Sequence, residues 1–144
     1  MEQDKTTIMI KVLRIFLLIL LFFLAINAVY GGWLLIADPS GEAIQIPKEL
    51  LEGTPFKDYL IPGIILILAN GLLSFVTAFM IIFRYKLYPQ FLVLQGVVLI
   101  GWLTVELIMN LDFFAAILHF PLYTIAAIFI VSGWIFIRKS IHAI

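Results

Sequence analysis

Cysteine is absent from this 144-residue chain, and charged residues make up only 12% of it. The absence of cysteine excludes disulfides, zinc–thiolate sites and thiol catalysis. The formal net charge is +0 and there is no basic stripe, so the chain lacks the electrostatic features of a nucleic-acid-binding protein. Soluble domains are about a quarter charged, so this shortage of charge also excludes an ordinary soluble domain.

Apolar residues make up 64% of the chain. A membrane helix needs about 20 consecutive apolar residues to cross about 30 Å of hydrocarbon. Four stretches have that length, and we predict spans over residues 15–37, 59–83, 89–109 and 120–137. Alternation with period two is weak in all of them, which disfavours a membrane β-barrel. The sequence therefore predicts a single all-α domain over residues 1–144, an antiparallel bundle of four transmembrane helices.

The basic residues are sorted by side of the predicted membrane. Seven of the nine lie before the first span, between the second and third spans, or after the fourth: Lys5, Lys11, Arg14, Arg84, Lys86, Arg138 and Lys139. These segments share one side, so the positive-inside rule predicts that both termini are cytoplasmic. The acid-rich loop over residues 38–58 is then expected to face outward.

Within that loop, Asp38–Gly41 has the residue types of a type I turn. The alternative to this structural turn is a ligand or metal role for Asp38. The flanking residues Leu34–Ala37 and Glu42–Ile46 have a pattern that allows them to pair as a short hairpin. Pro47–Glu52, followed by Gly53, predicts a short extracytoplasmic helix that lies on the membrane surface.

Polar residues within the spans recur at helical spacing and form a candidate intramembrane stripe. Its members are Asn27, Asn70, Ser74, Thr77, Gln95 and Trp102. A polar group in hydrocarbon needs a partner, so one interpretation is hydrogen bonding between helices. Small residues would let the backbones approach: Gly71, Gly96, Gly101, Ala126, Ala127 and Gly133. The other interpretation is a polar cavity that opens outward.

A second polar group lies near the predicted outer end of spans three and four. This candidate polar site comprises Glu106, Asn110, Asp112, His119 and Tyr123. Glu106 and His119 have the chemistry of an acid–base pair, and with Asp112 they offer oxygen and nitrogen ligands to a divalent metal. The structural alternative is a set of hydrogen-bonded interfacial residues. The other histidine, His142, is expected on the opposite side, so we predict no metal site.

Four short motifs form a further pattern: Gly31–Trp33, Asp38–Gly41, Thr54–Gly63, and Gln95–Gly96 followed by Trp102 and Glu106. In these motifs the chain resembles the small four-helix DoxX-like bacterial membrane proteins. The resemblance covers most of residues 15–138 and implies a four-helix bundle in the bacterial cytoplasmic (inner) membrane. Some DoxX-type proteins are linked to thiosulfate–quinone redox complexes, but no motif here carries a cofactor, and none is assigned.

Three functions remain open at this stage. The first, which we favour, is a non-catalytic membrane protein that binds an apolar ligand (a lipid or a quinone) or a partner subunit, including a second copy. The second is a proton-coupled transporter or channel that uses Glu106. The third is a membrane-embedded enzyme with Glu106 and His119 as acid and base, which requires their side chains within about 3 Å of each other or one water apart.

Overall fold

The computed structural model describes residues 2–141, which fold into four long helices. They are α1 (Glu2–Ala37), α2 (Leu60–Ile82), α3 (Tyr88–Met109) and α4 (Ala116–Ile141). Each is long and apolar enough to cross a membrane, and no strand occurs within residues 2–141. The predicted all-α bundle of four helices is therefore confirmed.

Two helices begin earlier than the sequence predicts. α1 begins at Glu2 rather than near residue 15, because lysine and arginine are good helix formers and continue the helix beyond the apolar stretch. α4 begins at Ala116 rather than at Phe120. Pro121 therefore lies inside α4 and not in the first turn, where its missing N–H would cost little.

The long loop (residues 38–59) contains turns and short 3-10 helices. Leu34–Ala37 belong to α1 and Glu42–Ile44 form a 3-10 turn, so the expected hairpin is wrong. The predicted Asp38–Gly41 turn is confirmed, because the Gly41 N–H donates to the Asp38 carbonyl at 3.1 Å. The predicted loop helix is a 3-10 helix, Lys48–Leu51, which buries Leu51 and exposes its charged residues.

The bundle has two distinct ends. The start of α1, the end of α4 and residues 83–87 lie at the end that we call the terminal end, and the long loop lies at the loop end with residues 110–115. At the terminal end the Arg14 guanidinium donates to the Tyr88 hydroxyl at 3.2 Å, and the Tyr88 ring packs against Phe136 at 5.6 Å. These contacts join α1, α3 and α4.

Glycines set the closest helix contacts. A Cβ on Gly32 would lie 2.7 Å from the Gly63 carbonyl oxygen, so α1 and α2 touch through their backbones. A Cβ on Gly96 would lie 2.6 Å from the Ala126 carbonyl oxygen, and α4 approaches α3 again at Gly133. In a membrane such contacts replace the hydrophobic driving force that water provides.

Four of the six predicted close-contact residues take part in such packing. Gly71 approaches Val29 on α1, and Gly96, Ala126 and Gly133 lie between α3 and α4. Gly101 has nothing within 4 Å and Ala127 is exposed, so the prediction is wrong for these two. Gly101 follows Gly96 by five residues, which is not a whole number of helical turns and rotates it onto another face.

We expect Gly96→Ala and Gly101→Ala to shift stability in opposite directions. The first places a methyl group against the α4 backbone and should destabilise the bundle by about 1–3 kcal/mol. The second meets open space and should be neutral or stabilising by up to about 1 kcal/mol, because alanine favours a helix. Denaturant unfolding in detergent micelles measures both. Equal effects would contradict glycine-dependent packing of α3 on α4.

Candidate functional site

A cavity of about 160 Å³ lies at the loop end of the bundle, between α1, α2, α3 and the long loop. Its walls are mainly apolar, with these side chains among them: Leu35, Ile44, Ile46, Leu51, Pro62 and Leu66. A cavity of about 150 Å³ with aliphatic and aromatic walls holds one benzene-sized ring. The space therefore suits a single ring or the end of an alkyl chain.

Glu106 supplies the only carboxyl group among the described residues that line this cavity. It lies on α3 with Trp102 one turn before it and Met109 close to the helix end, and both also line the cavity. Its side chain keeps 25% of its accessible surface. The cavity thus combines apolar walls with one polar anchor.

His119 lies beside Glu106 on α4. Its ring is buried at 5% exposure, and its Nε2 is 3.8 Å from Glu106 Oε2. That separation exceeds the reach of a direct hydrogen bond. Nε2 has no hydrogen-bond partner among residues 2–141. The two predicted acid–base residues are therefore neighbours that do not bond to each other directly.

The surroundings of the other ring nitrogen favour one tautomer of His119. Nδ1 lies 3.2 Å from both the backbone nitrogen and the carbonyl oxygen of Ala115. That carbonyl already accepts from the N–H groups of Leu118 and His119, so Nδ1 serves better as acceptor for the Ala115 N–H. Nε2 then carries the ring hydrogen and presents a donor toward Glu106.

The remaining members of the predicted polar site have other contacts. Asn110 donates to the Leu50 carbonyl at 3.2 Å and accepts from the Asp112 N–H at 2.9 Å. Asp112 is exposed. The Tyr123 hydroxyl lies 3.2 Å from that of Thr104 and its ring centroid is 6.5 Å from that of His119. The structure thus brings Glu106 and His119 together, while Asn110 fastens the long loop to α3.

The predicted intramembrane stripe divides into two parts. Asn70, Ser74, Thr77 and Gln95 are fully buried between the helices, and Gln95 Nε2 lies 3.5 Å from Asn70 Oδ1. Trp102 instead lines the cavity. Asn27 is exposed on α1 and donates to the Phe23 carbonyl of its own helix at 2.7 Å.

A π-helical turn, Ile67–Leu72, contains Asn70. Such turns insert one extra residue into an α-helix and are frequent at functional sites. Here the turn lies in the middle of α2, on the side that meets Gln95. It belongs to a polar layer at the centre of the bundle that is separate from the cavity at the loop end.

The long loop is held over the cavity by its own hydrogen bonds. The Tyr59 hydroxyl donates to the Pro47 carbonyl at 2.8 Å, and the Tyr59 N–H donates to the Pro39 carbonyl at 2.9 Å. Burial, together with the nearby Glu49 carboxylate, raises the pKa of Tyr59, so the hydroxyl keeps its hydrogen. Tyr59 also packs with Leu35 and Leu51.

Asp38 organises the start of the loop. Its Oδ1 accepts from the Ser40 hydroxyl at 2.6 Å and its Oδ2 accepts from the Ala43 N–H at 2.9 Å. These donors stabilise the carboxylate and lower the pKa of Asp38 below its ordinary value, with Ser40 as the largest cause. The contacts fit the turn interpretation of this residue.

The structure also tests whether acidic and histidine side chains come together as they would at a metal site. Among the described residues, no group of three or more His, Asp or Glu side chains comes together to hold a metal ion. His142 lies outside the described residues. Glu106 and His119 therefore form a pair of polar groups beside the apolar cavity.

Comparison with family models, curated proteins and solved structures finds no match to this chain. The DoxX-like resemblance stays a prediction.

Sequence reasoning identified Glu106, His119 and Trp102 but missed the cavity walls. Gly31 and Leu35 lie about one turn apart on α1, and only the folded loop places Tyr59 beside them. The adjacent glycines at positions 31 and 32 were an available signal, because two glycines in one apolar span reduce side-chain volume on neighbouring faces.

We expect NMR titration of the Asp38 carboxyl carbon to give a midpoint below the ordinary aspartate value of 3.8. The stability that the Asp38 contacts add is present above that ordinary value and is lost as pH falls through the lowered one. Ser40→Ala should move the midpoint upward, because it removes the largest cause. Thr54→Ala, which removes a hydroxyl bonded elsewhere in the loop, is the control and should leave the midpoint unchanged. An unmoved midpoint in Ser40→Ala would contradict this account.

Proposed function

We propose that this chain is a multi-pass protein of the bacterial cytoplasmic membrane that binds an apolar ligand in the cavity beneath the long loop. The observation that carries the proposal is the cavity itself, about 160 Å³ of mainly apolar space with the Glu106 carboxyl group in its wall. Binding sites for small molecules typically combine apolar walls with a few polar groups that orient the ligand. The ring of a quinone or part of a lipid has suitable size and chemistry.

Two further features support binding at this place. The cavity lies close to the end of α3, about 4.5 Å from it by helical rise at Glu106, so an amphiphile reaches it from the membrane interface. The loop above it is tied down by the Asn110–Leu50 and Tyr59–Pro47 hydrogen bonds. Its cover is therefore a folded element that can shield an apolar ligand from water.

One observation supports the alternative function, which is an enzyme or a proton-coupled transporter. Glu106 Oε2 and His119 Nε2 lie 3.8 Å apart, which a single bridging oxygen atom can span. Ligand binding requires fewer structural features than either alternative. A transporter needs a path for ions across the four helices, and an enzyme needs a reaction centre.

We further propose that both termini are cytoplasmic and that the long loop faces outward. The support is the distribution of charge. The terminal end carries seven of the nine basic residues, whereas the long loop carries Lys48 and Lys57 among five acidic residues. Lysine and arginine in short loops are retained on the cytoplasmic side.

Gly31→Leu should abolish binding of a ring-sized probe. The nearest atom to a Cβ at Gly31 is Leu66 Cδ2 at 3.8 Å, so a larger side chain enters the cavity without meeting a backbone. The probe is 4-fluorotoluene, followed by ¹⁹F NMR with the protein in detergent micelles. We expect at least a tenfold loss of affinity. Gly101→Leu, with open space around it, is the matched control and should bind like the unaltered protein. Equal binding by both variants would reject the cavity as the site.

Single introduced cysteines test the orientation without background labelling, because the chain has no cysteine. In intact cells a membrane-impermeant maleimide should label Glu49→Cys and should leave Lys139→Cys unlabelled until the membrane is opened. Both positions are exposed. Labelling of both, or of Lys139→Cys alone, in intact cells would refute the proposed orientation.

A further inference from the structure

Asn27 is a polar side chain that faces outward from the middle of the membrane segment of α1. It lies ten residues before the helix ends at Ala37, which is about 15 Å by helical rise and half of a hydrocarbon core of about 30 Å. The side chain is exposed, and its Nδ2 donates to the Phe23 carbonyl oxygen of the same helix at 2.7 Å. The second amide N–H and the amide oxygen have no partner within residues 2–141. Because hydrocarbon offers no partner either, they carry a desolvation cost.

Other polar side chains near the middle of the bundle differ from Asn27. Asn70 and Gln95 are buried between the helices, so no molecule outside the bundle reaches them. Thr124 on α4 is exposed, but its single O–H already donates to the Phe120 carbonyl at 2.8 Å. An amide has two N–H donors and an acceptor oxygen, so one bond to its own helix leaves most of its capacity unused. Of these side chains, Asn27 alone presents both a donor and an acceptor to a neighbour in the membrane.

The residues above and below Asn27 form a line along α1 that we call the α1 seam. Its members are alternately four and three residues apart: Phe16, Leu20, Phe23, Asn27, Tyr30 and Leu34. Phe16, Phe23 and Tyr30 are 44%, 53% and 65% exposed, and the two leucines are half-buried. This spacing repeats every seven residues, which is the period of two helices that wrap around each other with a left-handed twist. In such seams a single asparagine specifies the register of the partner helix.

The membrane determines what a second copy of the chain would present to this seam. Copies that insert with the same orientation are related by a two-fold axis along the membrane normal. Their α1 helices then run parallel, and every residue lies at the same depth as its counterpart. Asn27 therefore meets Asn27 of the second copy, and an amide both donates to and accepts from another amide. We propose that this chain forms a homodimer through the α1 seam, in which the two Asn27 side chains hydrogen-bond to each other.

A second copy fits this seam better than a different membrane protein does. A different protein would need a polar group at the depth of Asn27, whereas a second copy always supplies one. The inference goes beyond ligand binding and shares with that proposal only the membrane setting. Asn27 is not among the residues that line the cavity, so the dimer and the ligand site can be tested separately.

Single introduced cysteines locate the interface, because the chain has none of its own. In isolated membranes treated with copper phenanthroline, we expect Phe23→Cys and Tyr30→Cys to form disulfide-linked dimers, since each cysteine lies close to its counterpart across the two-fold axis. Val97→Cys is the matched control, because Val97 is also 53% exposed but lies on α3. Dimers of Val97→Cys alone would assign the contact to another face and overturn the proposal. Products that join the α1 seam only to a different protein would overturn it as well.

Energy transfer between labelled copies measures what the amide contributes. Every variant carries Lys139→Cys, an exposed position, for attachment of donor or acceptor dye, and is placed in phosphatidylcholine vesicles at a series of protein-to-lipid ratios. Asn27→Leu should weaken dimerisation about tenfold, because both hydrogen bonds between the copies are lost. Asn27→Gln keeps an amide and should retain most of the association. Thr124→Val is the control that removes an exposed hydroxyl already bonded within its own helix, and it should dimerise like the unaltered chain.

The results decide the proposal without depending on the ligand. A monomer at every protein-to-lipid ratio, or equal association of Asn27→Leu and the unaltered chain, would refute the Asn27-linked dimer. Thermal unfolding verifies that each variant is folded, and Asn27→Ala replaces Asn27→Leu if the latter is not. Asn27→Leu should bind 4-fluorotoluene like the unaltered protein, so loss of the dimer leaves the ligand site in place. Failure of 4-fluorotoluene to bind the unaltered protein would in turn leave the dimer in place.

Discussion

Hydrocarbon gives helices no hydrophobic reward for associating, so this bundle depends on how closely its backbones can pack. The glycines at positions 32 and 63 bring α1 against α2, and those at 96 and 133 bring α3 against α4. The helices are thus arranged as two tight pairs. The cavity lies where residues from α1, α2 and α3 meet beneath the long loop, and its shape follows from that arrangement.

The two polar regions of the bundle differ in what their surroundings provide. At the centre, Asn70 and Gln95 lie next to each other and Thr77 donates to the carbonyl of Leu73. At the loop end, Glu106 and His119 are close but unbonded, and an apolar space adjoins them. The Gln95–Asn70 contact links α3 to α2, whereas Asn70 Nδ2, Ser74 Oγ and Gln95 Oε1 have no further partner among residues 2–141. The pair at the loop end differs in that an apolar cavity adjoins it. Helical spacing alone could not distinguish these surroundings, because both sets of residues recur at intervals of about one turn.

The number, order and class of the helices could be predicted because the length of each apolar stretch matches the thickness of a membrane's hydrocarbon core. The structure of the long loop could not be predicted, because its short apolar and polar runs are compatible with a hairpin as well as with a 3-10 turn. The residues at 34–37 stayed in α1, where their N–H groups donate to carbonyls one turn back along the helix. Glu106 and His119 could be identified from residue type, but the cavity could not, because its walls come from four separate segments whose approach depends on tertiary packing.

The π-helical turn in α2 has a consequence for changes in chain length. It holds one residue more than a regular α-helical turn would, and the extra residue is absorbed locally between Ile67 and Leu72. Removal of one residue inside this turn would restore an ordinary helix and leave the flanking faces in register. Removal of one residue from the α-helical segment before it, Leu60–Leu66, would rotate the following segment by about 100° and turn Ser74 and Thr77 away from the positions where they are now buried. This turn is therefore the place in the bundle where a helix can lose a residue with the least disturbance to its neighbours.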